Sequence, residues 1–187
     1  LLALVSLMGM PYAVLMPIFA EKILHGGPRA FGFLLGATGV GAIAGSIYLA
    51  SRKSVLGLGN LIVIALNIFG MGLIAFSVSR VLSLSLLLLV FTGFGMMGVM
   101  ASCNTVLHTI VEEVNRGRVM SLYTMAFMGM VPFGSLLAGS LASKIGAPGT
   151  IIISGIACIL GSILFARKLP LLREMVRPIY IKKGILF

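Results

Sequence analysis

Acidic residues are the scarcest feature of this chain. It contains no aspartate, and its only acids are Glu21, Glu112, Glu113 and Glu174, none of them in the middle of an apolar stretch. Charged residues of both signs make up only 10% of the sequence. Because about a quarter of the residues in an ordinary soluble domain are charged, this composition excludes such a domain.

Residues that carry enzyme chemistry are also rare. His25 and His108 are the only histidines, and no HExxH or P-loop motif occurs. No Ser–His–acid triad can form without an acid inside an apolar stretch. Cys103 and Cys158 both lie inside apolar stretches, without the spacing of metal ligands. We therefore expect no catalytic residue, no metal site and no cofactor.

Apolar residues, at 59% of the chain, fall into six blocks separated by short polar connections. The blocks span about residues 1–20, 31–50, 61–78, 81–110, 119–143 and 150–166. Each is close to the roughly 20 residues that a helix needs to cross a hydrocarbon layer of ~30 Å. The sequence therefore predicts an all-α membrane protein, with a six-helix transmembrane bundle over residues 1–166 and a basic cytoplasmic tail over 167–187.

The basic residues are unevenly divided between the two sides of such a bundle. Ten of them fall on the side that carries Arg52, Arg116, Arg118 and the tail, and four fall on the other side. Because Lys and Arg are concentrated in cytoplasmic connections, both ends of the segment are expected to be cytoplasmic. The formal charge of +10 is then explained by residues that flank a lipid bilayer, and nucleic acid is not an expected partner.

Two features indicate half of a larger protein. A shift of 94 residues aligns Gly45-Ser46-Ile47 with Gly139-Ser140-Leu141, which places blocks one to three on blocks four to six. Three helices per unit give the second unit the opposite orientation, which is the 3+3 inverted repeat of secondary transporters. The chain also begins inside an apolar block, so we expect it to be part of a longer membrane protein. The alternative is a half that pairs with a second copy of itself.

Polar and methionine side chains inside the blocks are the candidate substrate contacts. Polar groups in lipid cost free energy unless they face protein or water, and methionine adapts to ligands of varied shape. Shared helical faces predict a substrate cavity lined by Met8, Tyr12, Met16, Thr38, Asn104, Tyr123, Thr124 and Met128. The alternative is that these residues only pack between helices, because polar side chains commonly join neighbouring membrane helices.

One polar connection brings opposite charges together. Glu112, Glu113, Arg116 and Arg118 lie in and beside the turn between the fourth and fifth blocks. The turn is either an exposed charged segment, whose ion pairs contribute under about 1 kcal/mol each, or a gate that opens and closes during transport. His108 lies shortly before this turn and is a candidate proton site. The alternative for His108 is a solvated polar residue.

Three stretches resemble the C-terminal half of major facilitator superfamily transporters. They are Asn115-Arg116-Gly117-Arg118-Val119-Met120-Ser121-Leu122-Tyr123, Pro132-Phe133-Gly134-Ser135-Leu136-Leu137-Ala138-Gly139 and Arg177-Pro178-Ile179-Tyr180. Together they resemble the bacterial exporter branch that includes enterobactin exporters and macrolide-efflux-like permeases. The resemblance implies that the six blocks are helices seven to twelve of a twelve-helix transporter that works by alternating access. It also implies that blocks one, two, four and five line the path.

The resemblance extends to a basic loop and to the expected function. The loop at 51–57 resembles the basic loop between the family's eighth and ninth helices, which adds Arg52 to the gate residues, but it lacks the acid of the fuller motif. With no carboxylate in mid-membrane, a proton-driven antiporter would hold its coupling acid in the other half. The expected function is efflux of a small, partly apolar molecule of the drug or siderophore class from a bacterial inner membrane. The expected partner is the N-terminal six-helix half.

Two alternative functions are open at this point. The first is a proton-coupled uptake permease of the same fold, which the sequence scarcely separates from an exporter. The second is a six-helix membrane scaffold that transports nothing. Polar residues on shared faces in mid-membrane favour a transporter, since a scaffold gains little from placing Asn104 or Tyr12 there.

Overall fold

The computed structural model describes residues 1–52 and 54–182. Lys53, part of the predicted basic loop, and residues 183–187 of the predicted tail lie outside the described residues. Within the described ranges the chain forms helices and short turns, with no strand. The expectation of an all-helical protein is confirmed for this part of the chain.

Within the described residues we distinguish six helices, apart from a short 3-10 helix at Glu113–Asn115. They are α1 (Leu2–Ile23), α2 (Gly27–Ala50), α3 (Leu58–Val78), α4 (Leu82–Ile110), α5 (Arg116–Met128) and α6 (Val131–Lys182). Five helical stretches are long and apolar enough to cross a membrane, and the last of them joins α5 and α6. The basic segment after residue 166, which the sequence predicts as a tail, continues α6 as helix to Lys182.

Helix α6 folds back on itself at Gly146. This residue has φ 79° and ψ 164°, which lie outside the helical region. On one side of the break Gly134 lies against Leu7 of α1, and on the other side Cys158 lies close to Gly9 of the same helix. In one straight helix Gly134 and Cys158 would be about 36 Å apart at ~1.5 Å per residue. The two parts of α6 are therefore antiparallel to each other, and both pack against α1.

Helix α4 is the centre of the packing. Its most extensive contacts are with α2 and α3, and α3 in turn packs along the second part of α6. The core is apolar, and its largest fully buried side chains include Phe19, Phe69, Phe76, Leu34 and Leu89. Because lipid is as apolar as these side chains, close van der Waals packing is what joins the helices in a membrane.

Glycines allow α2 and α4 to meet backbone to backbone. A Cβ placed on Gly41 would overlap the Val90 carbonyl, and one placed on Gly93 would overlap the Thr38 carbonyl. The buried residues of α2 form a single stripe of small or medium side chains that faces this contact: Ala30, Leu34, Thr38, Gly41 and Gly45. The crossing of the two helices thus depends on the absence of side chains at two positions.

Gly93→Ala should therefore destabilise this chain in detergent by about 1–3 kcal/mol, the usual cost of overpacking a well-packed site. A lower thermal unfolding midpoint, measured by circular dichroism, checks the prediction. The matched control is Gly39→Ala, because a Cβ at Gly39 meets nothing within 4 Å. Its midpoint should be unchanged or slightly raised, since alanine is the better helix former. Equal destabilisation by both variants would contradict the packing argument.

One end of the bundle collects most of the basic side chains, and we call it the basic end. It carries the start of α1, the loop residues 54–57, the turn at 111–115 and the last part of α6. The start of α1, the loop residues 55–57, the end of α4 and the last part of α6 line one cavity, which involves Leu1, Leu58, Ile110 and Leu172. The opposite end carries Lys22, Arg29, Arg80 and Lys144.

Candidate functional site

Tyr12, Met16 and Thr38 come together where α1 meets α2. All three are buried, and Met16 is 0% exposed. The Tyr12 ring stands edge-on to Phe69, with centroids 6.1 Å apart, and its side chain is within hydrogen-bonding reach of Thr38. The Thr38 hydroxyl donates to the Leu34 carbonyl at 3.0 Å. In this conformation the three predicted cavity residues are part of the core, so a ligand could reach them only after α1 moves.

Helix α1 is irregular at both ends. Val5–Gly9 and Phe19–Ile23 are π-helical, and a turn at Met10 and Pro11 separates the first π segment from Tyr12–Ile18. Pro11 and Pro17 have no N–H to donate, which interrupts the helical hydrogen-bond pattern. Such π segments occur often at functional sites. Met8, which is half-buried, lies in the first of them. The helix that carries three predicted cavity residues is thus the least regular one in the chain.

The hydroxyl of Ser6 links α1 to α5. It donates to the Phe127 carbonyl, which lies in the last turn of α5. Helix α5 ends at Met128 and α6 begins at Val131. The Ser6 hydroxyl therefore binds a backbone acceptor beside the break between these two helices. The sequence analysis did not identify Ser6. A hydroxyl inside the first apolar block was the available signal.

Helix α5 is the least covered helix of the bundle. Of its 13 residues only Phe127 is buried. The Tyr123 hydroxyl donates to the Met100 carbonyl of α4 at 3.2 Å, which holds α5 to the bundle. Thr124 and Met128 are exposed. These three predicted cavity residues thus lie on a helix whose outer face is free of contacts with the rest of the described chain.

Asn104 lies one turn from Met100 on α4, near the Tyr123 contact. Among the residues that the structure describes, its Oδ1 is buried and accepts no hydrogen bond. A buried polar atom without a partner is rare and costs free energy. This atom is therefore a candidate acceptor for a ligand or for a polar group of another protein surface.

The predicted gate residues do not all lie in one place. Glu112 and Glu113 are exposed at the end of α4, and Arg118 is exposed in the first turn of α5. Arg116 is half-buried, and its Nε has no hydrogen-bond partner within the described ranges. Arg52 lies on the separate loop between α2 and α3, where its Nη2 donates to the Leu56 carbonyl at 3.2 Å.

His108 is exposed in the last turn of α4. It follows Asn104 by one turn, so it lies between the buried amide and the charged turn. Its position near the basic end places it at the mouth of the bundle and not in mid-membrane. A role for His108 in proton transfer stays a prediction.

The sequence analysis missed a cavity of about 710 Å³ at the basic end. Its walls come from the start of α1, the loop and start of α3 at 55–59 and 62, the end of α4, Ala126 of α5 and the last part of α6. The eight predicted cavity residues are not among those that line it. Its rim carries Arg173, Arg177 and Tyr180.

Comparisons with known proteins identify the chain. The family described as transmembrane secretion effector, within the major facilitator group, matches residues 3–177. The Staphyloferrin A transporter of Staphylococcus aureus (strain NCTC 8325 / PS 47) is 25% identical over 164 residues, which cover 87% of this chain and 40% of that protein. The chain thus matches less than half the length of this relative. No solved structure gives a significant match.

Proposed function

The chain belongs to the transmembrane secretion effector family of major facilitator transporters, and from this premise we propose that it is the C-terminal half of an exporter. The family match over residues 3–177 makes it a multi-pass membrane protein of a transporter family. The proposed cargo is a small, partly apolar molecule that moves by alternating access. A cytoplasmic tail from residue 167 and a bacterial inner-membrane location complete the proposal.

Six membrane spans in a 3+3 arrangement are part of this proposal. The fold-back at Gly146 supports six spans, because it divides the last apolar stretch into two antiparallel parts. The repeat would then relate α1–α3 to three spans: α4, α5 together with the first part of α6, and the second part of α6. Leu1 and Tyr180 both lie at the basic end, and Lys and Arg favour the cytoplasmic side. A match to 40% of the relative's length is consistent with an N-terminal six-helix partner.

The observation that carries the proposal is the uncovered surface of α2 and α5. Helix α2 buries one stripe of its surface, and α5 buries only Phe127. The open surface of α2 includes Gly32, Gly36 and Gly39, where an added Cβ would meet nothing within 4 Å. Small residues permit close approach of a second helix in lipid. Together with exposed Thr124, this surface suits a second half with a path between the two.

The substrate class follows from the relative and from the side chains near the path. The relative is named a Staphyloferrin A transporter, and we propose a siderophore-like molecule as cargo here. Tyr123 and Thr124 offer hydroxyls, Asn104 offers a free acceptor, and Met8 and Met128 offer adaptable apolar contacts. Proton antiport is the proposed driving force, with the coupling acid in the other half.

The irregular helix α1 supplies a means of exposing the buried part of the site. Its π segments and its two prolines interrupt the regular backbone hydrogen bonds. Its ends can therefore shift while breaking fewer hydrogen bonds than the ends of a regular helix. Movement of α1 away from α2 would open Tyr12, Met16 and Thr38 to the path. The charged turn that contains Glu112 and Glu113, with Arg116 and Arg118, would act as the gate at the cytoplasmic mouth.

An export assay tests the proposal against uptake. The intact protein is expressed in bacteria that synthesise a siderophore but lack their own exporter for it, and the siderophore is quantified inside and outside the cells. We expect the external fraction to rise at least several-fold over cells with an empty vector. Accumulation from the medium instead would support the uptake permease, and no change in either fraction with this siderophore would contradict the proposed substrate class.

A further inference from the structure

We propose that the cavity at the basic end binds an anionic phospholipid, with an acyl chain between α3, α4 and α6 and the phosphate against Arg173 and Arg177. This site is separate from the proposed transport path, because the eight path residues do not line the cavity. The proposal does not depend on which substrate the protein carries.

The size and lining of the cavity suit a hydrocarbon chain. Its volume of about 710 Å³ lies within the range of about 300–1,000 Å³ that is typical of ligand sites. The inner walls are apolar and include Leu58, Ile62, Val106, Leu107 and Phe165. Water finds few polar partners on such walls, so an apolar occupant is favoured over solvent.

The rim supplies arginines whose side chains form no ion pair with an acid among the described residues. Arg173 donates from Nη2 to Oδ1 of Asn60 at 2.7 Å, which fixes the guanidinium beside the cavity. Arg177 lies one turn further along α6 and also lines the cavity. The acceptor of Arg173 is a neutral amide, so its positive charge stays available to an anion.

A third arginine adjoins the same rim. Arg52 donates from Nη2 to the carbonyl of Leu56, a lining residue, at 3.2 Å. This acceptor is again neutral. Glu174 also lines the cavity, so two lining arginines and the adjoining Arg52 accompany one glutamate. A guanidinium binds phosphate through paired N–H donors, and the charge balance of the rim favours an anionic headgroup over a zwitterionic one.

The depth of the cavity matches a position at the lipid headgroups. Helix α3 begins at Leu58 and α4 ends at Ile110, and both residues line the cavity. Tyr180 stands at the rim, and tyrosine is enriched at the membrane interface. Basic pockets between membrane helices on the cytoplasmic side bind anionic lipid headgroups. The cavity opens where such a lipid resides.

Tryptophan fluorescence can test the proposal, because these 187 residues contain no tryptophan. In the intact protein, with any tryptophan outside this segment replaced by phenylalanine, Phe165→Trp would place an indole at the cavity wall. The matched control is Leu164→Trp, since Leu164 is the neighbouring residue and is 61% exposed. Each protein is placed in nanodiscs that contain brominated phosphatidylglycerol or brominated phosphatidylcholine, whose bromines quench nearby indoles.

The Phe165→Trp protein should be half-quenched at about a tenfold lower mole fraction of brominated phosphatidylglycerol than of brominated phosphatidylcholine, as expected for two basic residues near an anionic headgroup. Leu164→Trp should show no preference. Adding Arg173→Gln with Arg177→Gln should reduce the preference to below about threefold. The charge-matched control is Arg167→Gln with Lys168→Gln, since both residues are exposed on the same helix. This control pair should leave the preference for phosphatidylglycerol unchanged.

Native mass spectrometry gives an independent measurement that needs no tryptophan. The unlabelled intact protein, purified from mixed phosphatidylglycerol and phosphatidylcholine, should retain phosphatidylglycerol, and the Arg173→Gln with Arg177→Gln variant should lose most of it. Equal retention by this variant and by the Arg167→Gln with Lys168→Gln control would overturn the proposal. Equal quenching of Phe165→Trp by the two lipids would overturn it as well.

Discussion

Reconstituted alone in vesicles, this 187-residue chain should give no substrate flux above empty liposomes. A path between two halves needs two walls, and in the proposed exporter this chain supplies one of them. Helix α5 buries only Phe127, and α2 buries a single stripe that faces α4. In the membrane the remaining surface of both helices would contact lipid, which leaves no closed aqueous route past Thr124 or Asn104.

Flux should appear when the N-terminal half of the same protein is supplied. The measurement compares the chain alone, the N-terminal half alone and the two together, at equal protein-to-lipid ratios. Recovery should be lost again with Gly36→Leu, because a large side chain on the open α2 surface would hold the second half away. A Leu164→Ala variant on the opposite part of the bundle is the control. Robust flux from the chain alone would instead support a half that pairs with itself.

Much of the fold could be predicted from hydropathy. Block four matches α4 (Leu82–Ile110) within one residue, because a long apolar run in a membrane protein has helix as its main option. The ends of the other helices differ more. Helix α6 continues to Lys182, since the basic segment alternates charged and apolar residues and can follow the bundle surface as a helix.

Irregular backbone was harder to predict than the helices themselves. Pro11 and Pro17 indicate breaks in α1, but the π segments at Val5–Gly9 and Phe19–Ile23 depend on how that helix packs against α2 and α6. Gly146 could be expected as a turn from the sequence Gly-Ala-Pro-Gly, yet it lies within a stretch that is helical on both sides. Local propensity locates such breaks without giving their geometry.

The candidate site was only partly predictable for a related reason. Helical periodicity placed Tyr12 and Met16 on one face, but it did not say whether that face turns toward the core or toward the path. In this conformation the face is packed against Phe69. The cavity at the basic end draws its lining from five distant segments of the chain. No sequence period joins those segments, so only the three-dimensional structure reveals it.

Substituted-cysteine labelling tests most directly whether α5 and α1 line a transport path. The intact protein first receives Cys103→Ser and Cys158→Ser. Single cysteines are then placed at Thr124, which is exposed, at Tyr12, which is buried at 3% exposure, and at Ile163, which is 45% exposed on the second part of α6. A membrane-impermeant thiol reagent is applied with and without substrate.

The account predicts three different results. Thr124→Cys should label readily, and substrate should slow its labelling at least several-fold. Tyr12→Cys should label slowly at first and faster during transport, when α1 moves away from α2. Ile163→Cys should stay unlabelled, because it faces lipid, where an impermeant reagent and a thiolate are both disfavoured. Equal labelling at Thr124→Cys and Ile163→Cys, or labelling at Thr124→Cys that substrate never affects, would contradict the account.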